Sequence, residues 1–138
     1  MSEPGIRLSA EPDLGIDDYG TLLDAAGLGA KRPIFDPDRL WTMLANANLI
    51  VTARADGVLV GMARALTDFA YCCYVSELAV HRDHRRHGIG RALVAEVRRH
   101  AGPEASLFLH TLPGSERFCE EMGMTPISNV WMLPRRYG

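Results

Sequence analysis

Hydrophobic and polar positions change period several times along the chain, and each change marks an element. A short apolar piece over residues 6–9 suits a first strand. Ile16, Tyr19, Leu22, Leu23 and Ala26 then recur at helical spacing, behind Asp17 and Asp18 and ahead of Gly27, so a first helix ends there. Residues 28–37, LGAKRPIFDP, carry two prolines and read as a loop. Asp38 is placed to cap a second helix reaching about residue 47, with Leu40, Trp41 and Leu44 inward.

Two alternating, β-branched runs follow in NLIVTARADGVLVGMARAL, and the Asp56-Gly57 pair between them predicts a hairpin of two antiparallel strands. Residues 70–80, AYCCYVSELAV, are aromatic and β-branched and form a third long strand. From Ile89, apolar side chains at Leu93, Val97 and Ala101 make an amphipathic helix that Gly102-Pro103 stops. Residues 106–110, SLFLH, are a compact apolar strand, so strand, loop, helix and strand make one parallel β-α-β unit. Pro113-Gly114 breaks it, residues 115–122 form a short helix ended by Gly123, and residues 130–133 supply a last strand. The fold class is mixed α/β.

Composition narrows the function. At 138 residues the chain fits one domain spanning 1–138, and 47% hydrophobic with 23% charged residues is the balance of a soluble globular protein. No apolar run has the length of a membrane span, and the acidic, proline-bearing start is unlike a signal peptide, so a cytoplasmic location is expected. Three cysteines without Cys-x-x-Cys spacing indicate neither a disulfide framework nor zinc. The net charge is only -2, yet from Arg82 to Arg99 six arginines face two carboxylates, a local +4. Any anion is therefore met by a local patch.

That patch, HRDHRRHGIGRAL, lies where the third long strand gives way to a helix. Arg85-x-x-Gly88-x-Gly90 offers backbone N–H groups at a helix start, with glycines that let a phosphate come close. The spacing lacks the third glycine of the dinucleotide fingerprint and the Gly-Lys-Ser/Thr of the P-loop. A pyrophosphate cradle built from Arg85, Arg86, His87, Gly88, Ile89, Gly90 and Arg91 remains.

In this context ELAVHRDHRRHGIGRALV, residues 77–94, resembles the coenzyme A segment of the GNAT superfamily of N-acetyltransferases, whose Arg/Gln-x-x-Gly-x-Gly/Ala signature is matched by Arg85, Gly88 and Gly90. SERFCEEMGM, residues 115–124, is similar to the family's later Phe-Tyr motif, with Cys119 where the tyrosine commonly stands and Leu112 where an asparagine often follows the strand. The resemblance implies a GNAT-like acyl-CoA N-acyltransferase fold, with a mostly antiparallel sheet, splayed parallel strands and flanking helices. It also implies acetyl-CoA as donor, with its pantetheine arm along Leu78, Ala79 and Val80, and a primary amine of unidentified nature as acceptor. A backbone N–H of Val80 or a neighbour would then stabilise the oxyanion.

Glu77, in an otherwise apolar strand, is the candidate base, on the expectation that burial raises its pKa. The alternatives are an outward position or pairing with an arginine such as Arg64. Cys119 is the candidate acid, or a packed side chain. Asp68 reads as a turn former, Cys72 and Cys73 as small core fillers, and Trp41 with the LGAKRP loop as an acceptor wall or core. His81, His84 and His87 lack a completing ligand, so no metal is expected. A coenzyme A binder without catalysis and an anion or nucleic-acid module are the other classes. The nucleic-acid class lacks aromatics interleaved with the arginines, so no nucleic acid or membrane partner is expected. A homodimer is the prior for assembly.

Overall fold

The computed structural model describes residues 5–137. Its order is β1 (Ile6–Ala10), α1 (Ile16–Ala25), α2 (Pro37–Ala45), β2 (Leu49–Ala55), β3 (Val58–Thr67), β4 (Cys72–Val80), α3 (Ile89–Ala101), β5 (Ser106–Leu109) and α4 (Glu116–Glu121), with single 3-10 turns at Gly29–Lys31 and Arg82–His84. One sheet runs β1-β2-β3-β4-β5; the first three pairings are antiparallel and β4 pairs β5 in parallel. The mixed α/β class expected from the sequence is present. Among the described residues, no helix is long and apolar enough to cross a membrane.

The hairpin forms at Asp56 and Gly57, which both take positive φ (49° and 85°), the geometry a two-residue turn needs to match the strand twist. Two apolar layers cover the sheet. Ile89, Leu93 and Val97 of α3 bury Val51, Ala63, Cys73 and Val75 on one face, while Tyr19, Leu22 and Leu23 of α1 and Leu40 and Leu44 of α2 bury Ile50 and Met62 on the other.

Close approach of α3 to the sheet depends on Gly61. A Cβ there would lie 2.9 Å from Ile89 Cγ2 and 3.1 Å from Leu93 Cδ1, both on side chains without room to move.

Several sequence expectations are corrected. Asp36, not Asp38, caps α2: its side chain accepts from the Arg39 N–H at 3.2 Å, with Pro37 in the first turn. Trp41 does not face inward. The inward stripe is Leu40 and Leu44, one helical turn apart, and the next position round leaves Trp41 64% exposed. Cys73 is a core filler, but Cys72 is exposed. Residues 130–133 do not form a strand, because they do not lie along a sheet edge; Trp131 and Leu133 are 94% and 96% exposed.

Candidate functional site

The site is shaped by one extra residue in β4. Opposite β3, Glu77 pairs Arg64 and Val75 pairs Ala65, so Ser76 has no counterpart and forms a bulge. Strand side chains alternate, so an extra residue exchanges the faces of all that follow. Cys73 and Val75 point under α3, whereas beyond the bulge Ala79 joins the α1 and α2 layer and Leu78 and Val80 pack on the α3 side. Glu77 goes the same way as Ala79.

The bulge also ends the parallel pairing, which stops at Val75 opposite Leu109. The His81 N–H bonds the Val60 carbonyl at 2.8 Å, so the alternation turns the backbone groups of Leu78 and Val80 away from β3. They face the side where β5 has ended. Ala79 instead spends its backbone on β3 and its side chain on the core, 1% exposed. Of the three expected arm-binding residues, Leu78 and Val80 therefore present N–H and C=O groups to the splay.

The basic turn lies at the C-terminal end of β4. Arg86 has φ 66° and Gly88, the N-cap of α3, has φ 79° with no side-chain cap and no acidic residue in the first turn. The N–H groups at the start of a 13-residue helix are thus left for an anion. Arg86, His87 and Arg91 are exposed around this turn. Ile89 contributes only backbone there, since its side chain is buried under α3.

Two predicted contacts take a different form. Arg85 donates from Nη2 to the Ala26 carbonyl at 2.5 Å, fastening the C-terminal end of α1 to the cradle, where a cation is also favoured by the helix dipole. Gly90 lacks a side chain because α4 leans on it: a Cβ would lie 3.2 Å from the Phe118 ring. Phe118 brings along Cys119, half-buried, whose thiol is pushed up by burial and by the negative charge of Glu116.

Glu77 departs most from expectation. Only 1% exposed, its carboxylate takes hydrogen bonds from Tyr19 Oη (2.5 Å), Arg32 Nε (2.9 Å) and both Nε and Nη2 of Arg64. Burial by itself would raise its pKa. The Arg64 guanidinium, by hydrogen bonding and attraction, with Tyr19 and Arg32 adding donors, outweighs it and holds the carboxyl below the ordinary carboxylate value. The upward shift expected of a base is overturned. Tyr19 is pushed up in turn by burial and by the Glu77 charge.

The network also reaches the bulge itself: Arg32 Nη2 donates to the Ser76 carbonyl at 2.9 Å and Arg64 Nη2 to the Ser76 hydroxyl at 2.9 Å. Arg64 was foreseen as a partner. Tyr19 read only as part of a helix face and Arg32 as loop, because separations of 58 and 45 residues leave no local pattern linking them to Glu77.

Asp68 is the turn former expected. Its Oδ1 accepts from the N–H groups of Ala70, Tyr71 and Cys72, which hold its pKa down to about 2.

The residues fit coenzyme A: a glycine-capped, uncapped-by-side-chain helix start in a basic loop, beside strand backbone turned to an open edge. Comparison with known proteins agrees. The acetyltransferase (GNAT) family profile matches residues 18–124. A GNAT-family acetyltransferase from Streptococcus pneumoniae is similar at 22% identity and a TM-score of 0.75, over 94% of this chain and 99% of its own. An aminoglycoside N-acetyltransferase solved with CoA is similar at 18% identity and a TM-score of 0.73, over 96% and 95%. A ribosomal-protein-alanine N-acetyltransferase from Brucella melitensis biovar Abortus is similar at 21% and 0.68, over 95% and 99%. Among curated proteins, none matches the chain's sequence.

Proposed function

Because the chain belongs to the acetyltransferase (GNAT) family, we propose that its splayed strands and basic helix start serve direct transfer of an acetyl group from acetyl-coenzyme A to a primary amine. Acetyl transfer from acetyl-CoA is the family's activity; transfer to a primary amine goes one step further. The observation that carries it is the placement of the α3 N-terminus beside the outward-turned backbone of Leu78 and Val80.

Acetyl-coenzyme A supplies an acyl group activated as a thioester. The N–H groups of the first turn of α3, with Arg86, His87 and Arg91 around them, bind its phosphates. Leu78 and Val80 hold its arm by strand-like hydrogen bonds, and the Val80 N–H meets the negative charge that develops on the carbonyl oxygen during attack.

The amine must shed a proton as its nitrogen bonds the acetyl carbon and the carbon–sulfur bond breaks. Glu77 is a poor acceptor for it, since its oxygens are already engaged by four donor side chains, those of Tyr19, Arg32, Arg64 and Ser76. The proton leaves to water, and Glu77 acts as a positioning residue that holds Arg64 and Arg32 against the Ser76 bulge. Cys119, kept protonated at neutral pH by its raised pKa, gives a proton to the departing sulfur and recovers one from solvent.

A thiol-release assay tests the reading. Free coenzyme A should appear from acetyl-coenzyme A only when an amine from a panel of amino acids, peptides, polyamines and aminosugars is added. Cys119→Ala should lower turnover by no more than about a hundredfold, as expected for loss of a single proton donor. No amine-dependent thiol across the panel would remove the transferase reading, and unaltered turnover in Cys119→Ala would remove the acid.

A further inference from the structure

The face of the sheet turned away from α3 is covered unevenly. Alternation places Ala65, Cys73, Val75 and Leu109 in the layer under α3, so their strand neighbours Leu66, Tyr74 and Phe108 point to the opposite face. On that face α1 and α2 cover Ile50, Met62 and Ala79 and reach as far as Arg64, whose Nη1 donates to the Met43 carbonyl at 3.3 Å. They stop short of Leu66, Tyr74 and Phe108, which are 41%, 44% and 38% exposed. The register sets Leu66 opposite Tyr74 and Tyr74 opposite Phe108, so the three make one apolar row across three strands. Single exposed apolar side chains are ordinary; a continuous row beside a reactive site is not.

The position of the row says what covers it. It lies one rung before the splay opens, since the parallel pairing ends at Val75 opposite Leu109. On the α3 side the splay is closed by α3 itself and by α4, whose Phe118 lies against Gly90. An acceptor therefore enters from the opposite face, across the row. Charge narrows its chemistry. Glu77 is the only acidic residue in β3, β4 and β5, and its oxygens are taken up by Tyr19, Arg32, Arg64 and Ser76. A polyamine or aminosugar would bring further cations to a strand surface without a free carboxylate, close to two guanidinium groups. The turn from β3 to β4 supplies an aromatic ring instead. Phe69, 47% exposed, is held at φ 62°, a left-handed backbone rare for so bulky a residue, with its N–H on Thr67 Oγ1 at 3.0 Å. The carboxylate in that turn, Asp68, is occupied by three backbone N–H groups.

We infer that the acceptor is a primary monoamine borne on an aromatic or branched aliphatic body, which packs on Leu66, Tyr74 and Phe108 while the amine reaches the splay; this specificity rests on the acetyl transfer proposed above. Four strand residues, roughly 13 Å of rise, separate Tyr74 from Leu78, where the backbone first turns to the splay. Body and amine are therefore joined by a linker of several atoms.

Amine-dependent thiol release from acetyl-coenzyme A tests this with ethylamine, benzylamine, phenylbutylamine, phenylhexylamine, spermidine and glucosamine. KM should fall by about tenfold or more from ethylamine through benzylamine to the longer phenylalkylamines, with spermidine and glucosamine no better than ethylamine. Tyr74→Ser and Phe108→Ser should each raise the phenylbutylamine KM by about tenfold and leave kcat, the ethylamine KM and coenzyme A affinity nearly unchanged. Far-ultraviolet circular dichroism should not change, because both side chains are exposed, and Leu66→Ala, a milder truncation of the same row, should act in the same direction. A lower KM for spermidine or glucosamine than for every phenylalkylamine overturns the inference and leaves transfer to an amine standing. So does a phenylbutylamine KM that none of the three substitutions moves. Absence of thiol release with every amine removes the transfer itself, and this specificity with it.

Discussion

At the scale of single residues, Glu77 decides how the site is understood. Its carboxylate is the only acidic group in contact with Arg64 and Arg32 among the described ion pairs, and it also receives the Tyr19 hydroxyl. Glu77→Gln keeps the shape and removes the charge, leaving the buried Arg64 guanidinium uncompensated. Breaking such a pair costs about 3–5 kcal/mol, so denaturant unfolding should show a loss of that order. Activity should fall with stability, and raising the pH should not restore it. Recovery at high pH, where free amine is abundant, would instead mark Glu77 as the base. The carboxylate itself was legible as a lone charge in an apolar strand; its role was not, because the donors come from α1, β3 and the loop before α2, brought together only by the fold.

At the scale of elements, two glycines set the distances on which the cradle depends. Gly61 lets α3 settle on β3, and Gly90 lets α4 settle on α3. Gly61→Ala forces a methyl against Ile89 and Leu93, and overpacking of this kind costs about 1–3 kcal/mol. Because Ile89 is the first residue of α3, the shift is delivered to the anion-binding turn. Unfolding should register the loss, and calorimetry should show coenzyme A affinity weakened at least tenfold. Gly20→Ala is the counter-experiment: a Cβ there meets Leu40 at an ordinary 3.6 Å inside α1, so stability should rise by about 0.5–1 kcal/mol with affinity unchanged. Elements with a strong period were readable from sequence, including the Asp56-Gly57 hairpin, α3 with its Gly102 stop, and the parallel β4-α3-β5 unit. The bulge at Ser76 was not, since an inserted residue in a strand leaves the composition unchanged and shows only in the partner's register. The tail was read as a strand from composition alone, whereas a strand also needs an edge to pair with.

At the scale of the whole molecule, the charged network predicts how stability answers to pH. Glu77 is held below its ordinary pKa as described, and Glu11 is held down by hydrogen bonds from Arg54 and Thr52, which tie the end of β1 to β2. A carboxyl whose pKa is lower in the folded than in the unfolded chain stabilises the fold fully above its unfolded value, about 4.3 for glutamate. That contribution is lost as pH falls toward the folded value, because the unfolded chain binds the proton first. The melting temperature should therefore be level from neutral pH down to about 5 and decline steadily below that. Salt separates the two carboxylates. Glu11 and Arg54 are each about a quarter exposed, at 23% and 25% of their side chains, whereas the Glu77 side chain is wholly covered. Half-molar salt should weaken the Glu11 contribution and leave that of Glu77 nearly untouched, since screening acts through solvent. Glu77→Gln should accordingly flatten part of the acid slope that survives in high salt, with Asp68, held down by backbone N–H groups, carrying another part, and Glu11→Gln should flatten part of what salt removes. Melting curves of the three proteins from pH 7 to 3 at two salt concentrations measure this, and an acid slope indifferent to both substitutions would place the pH dependence elsewhere.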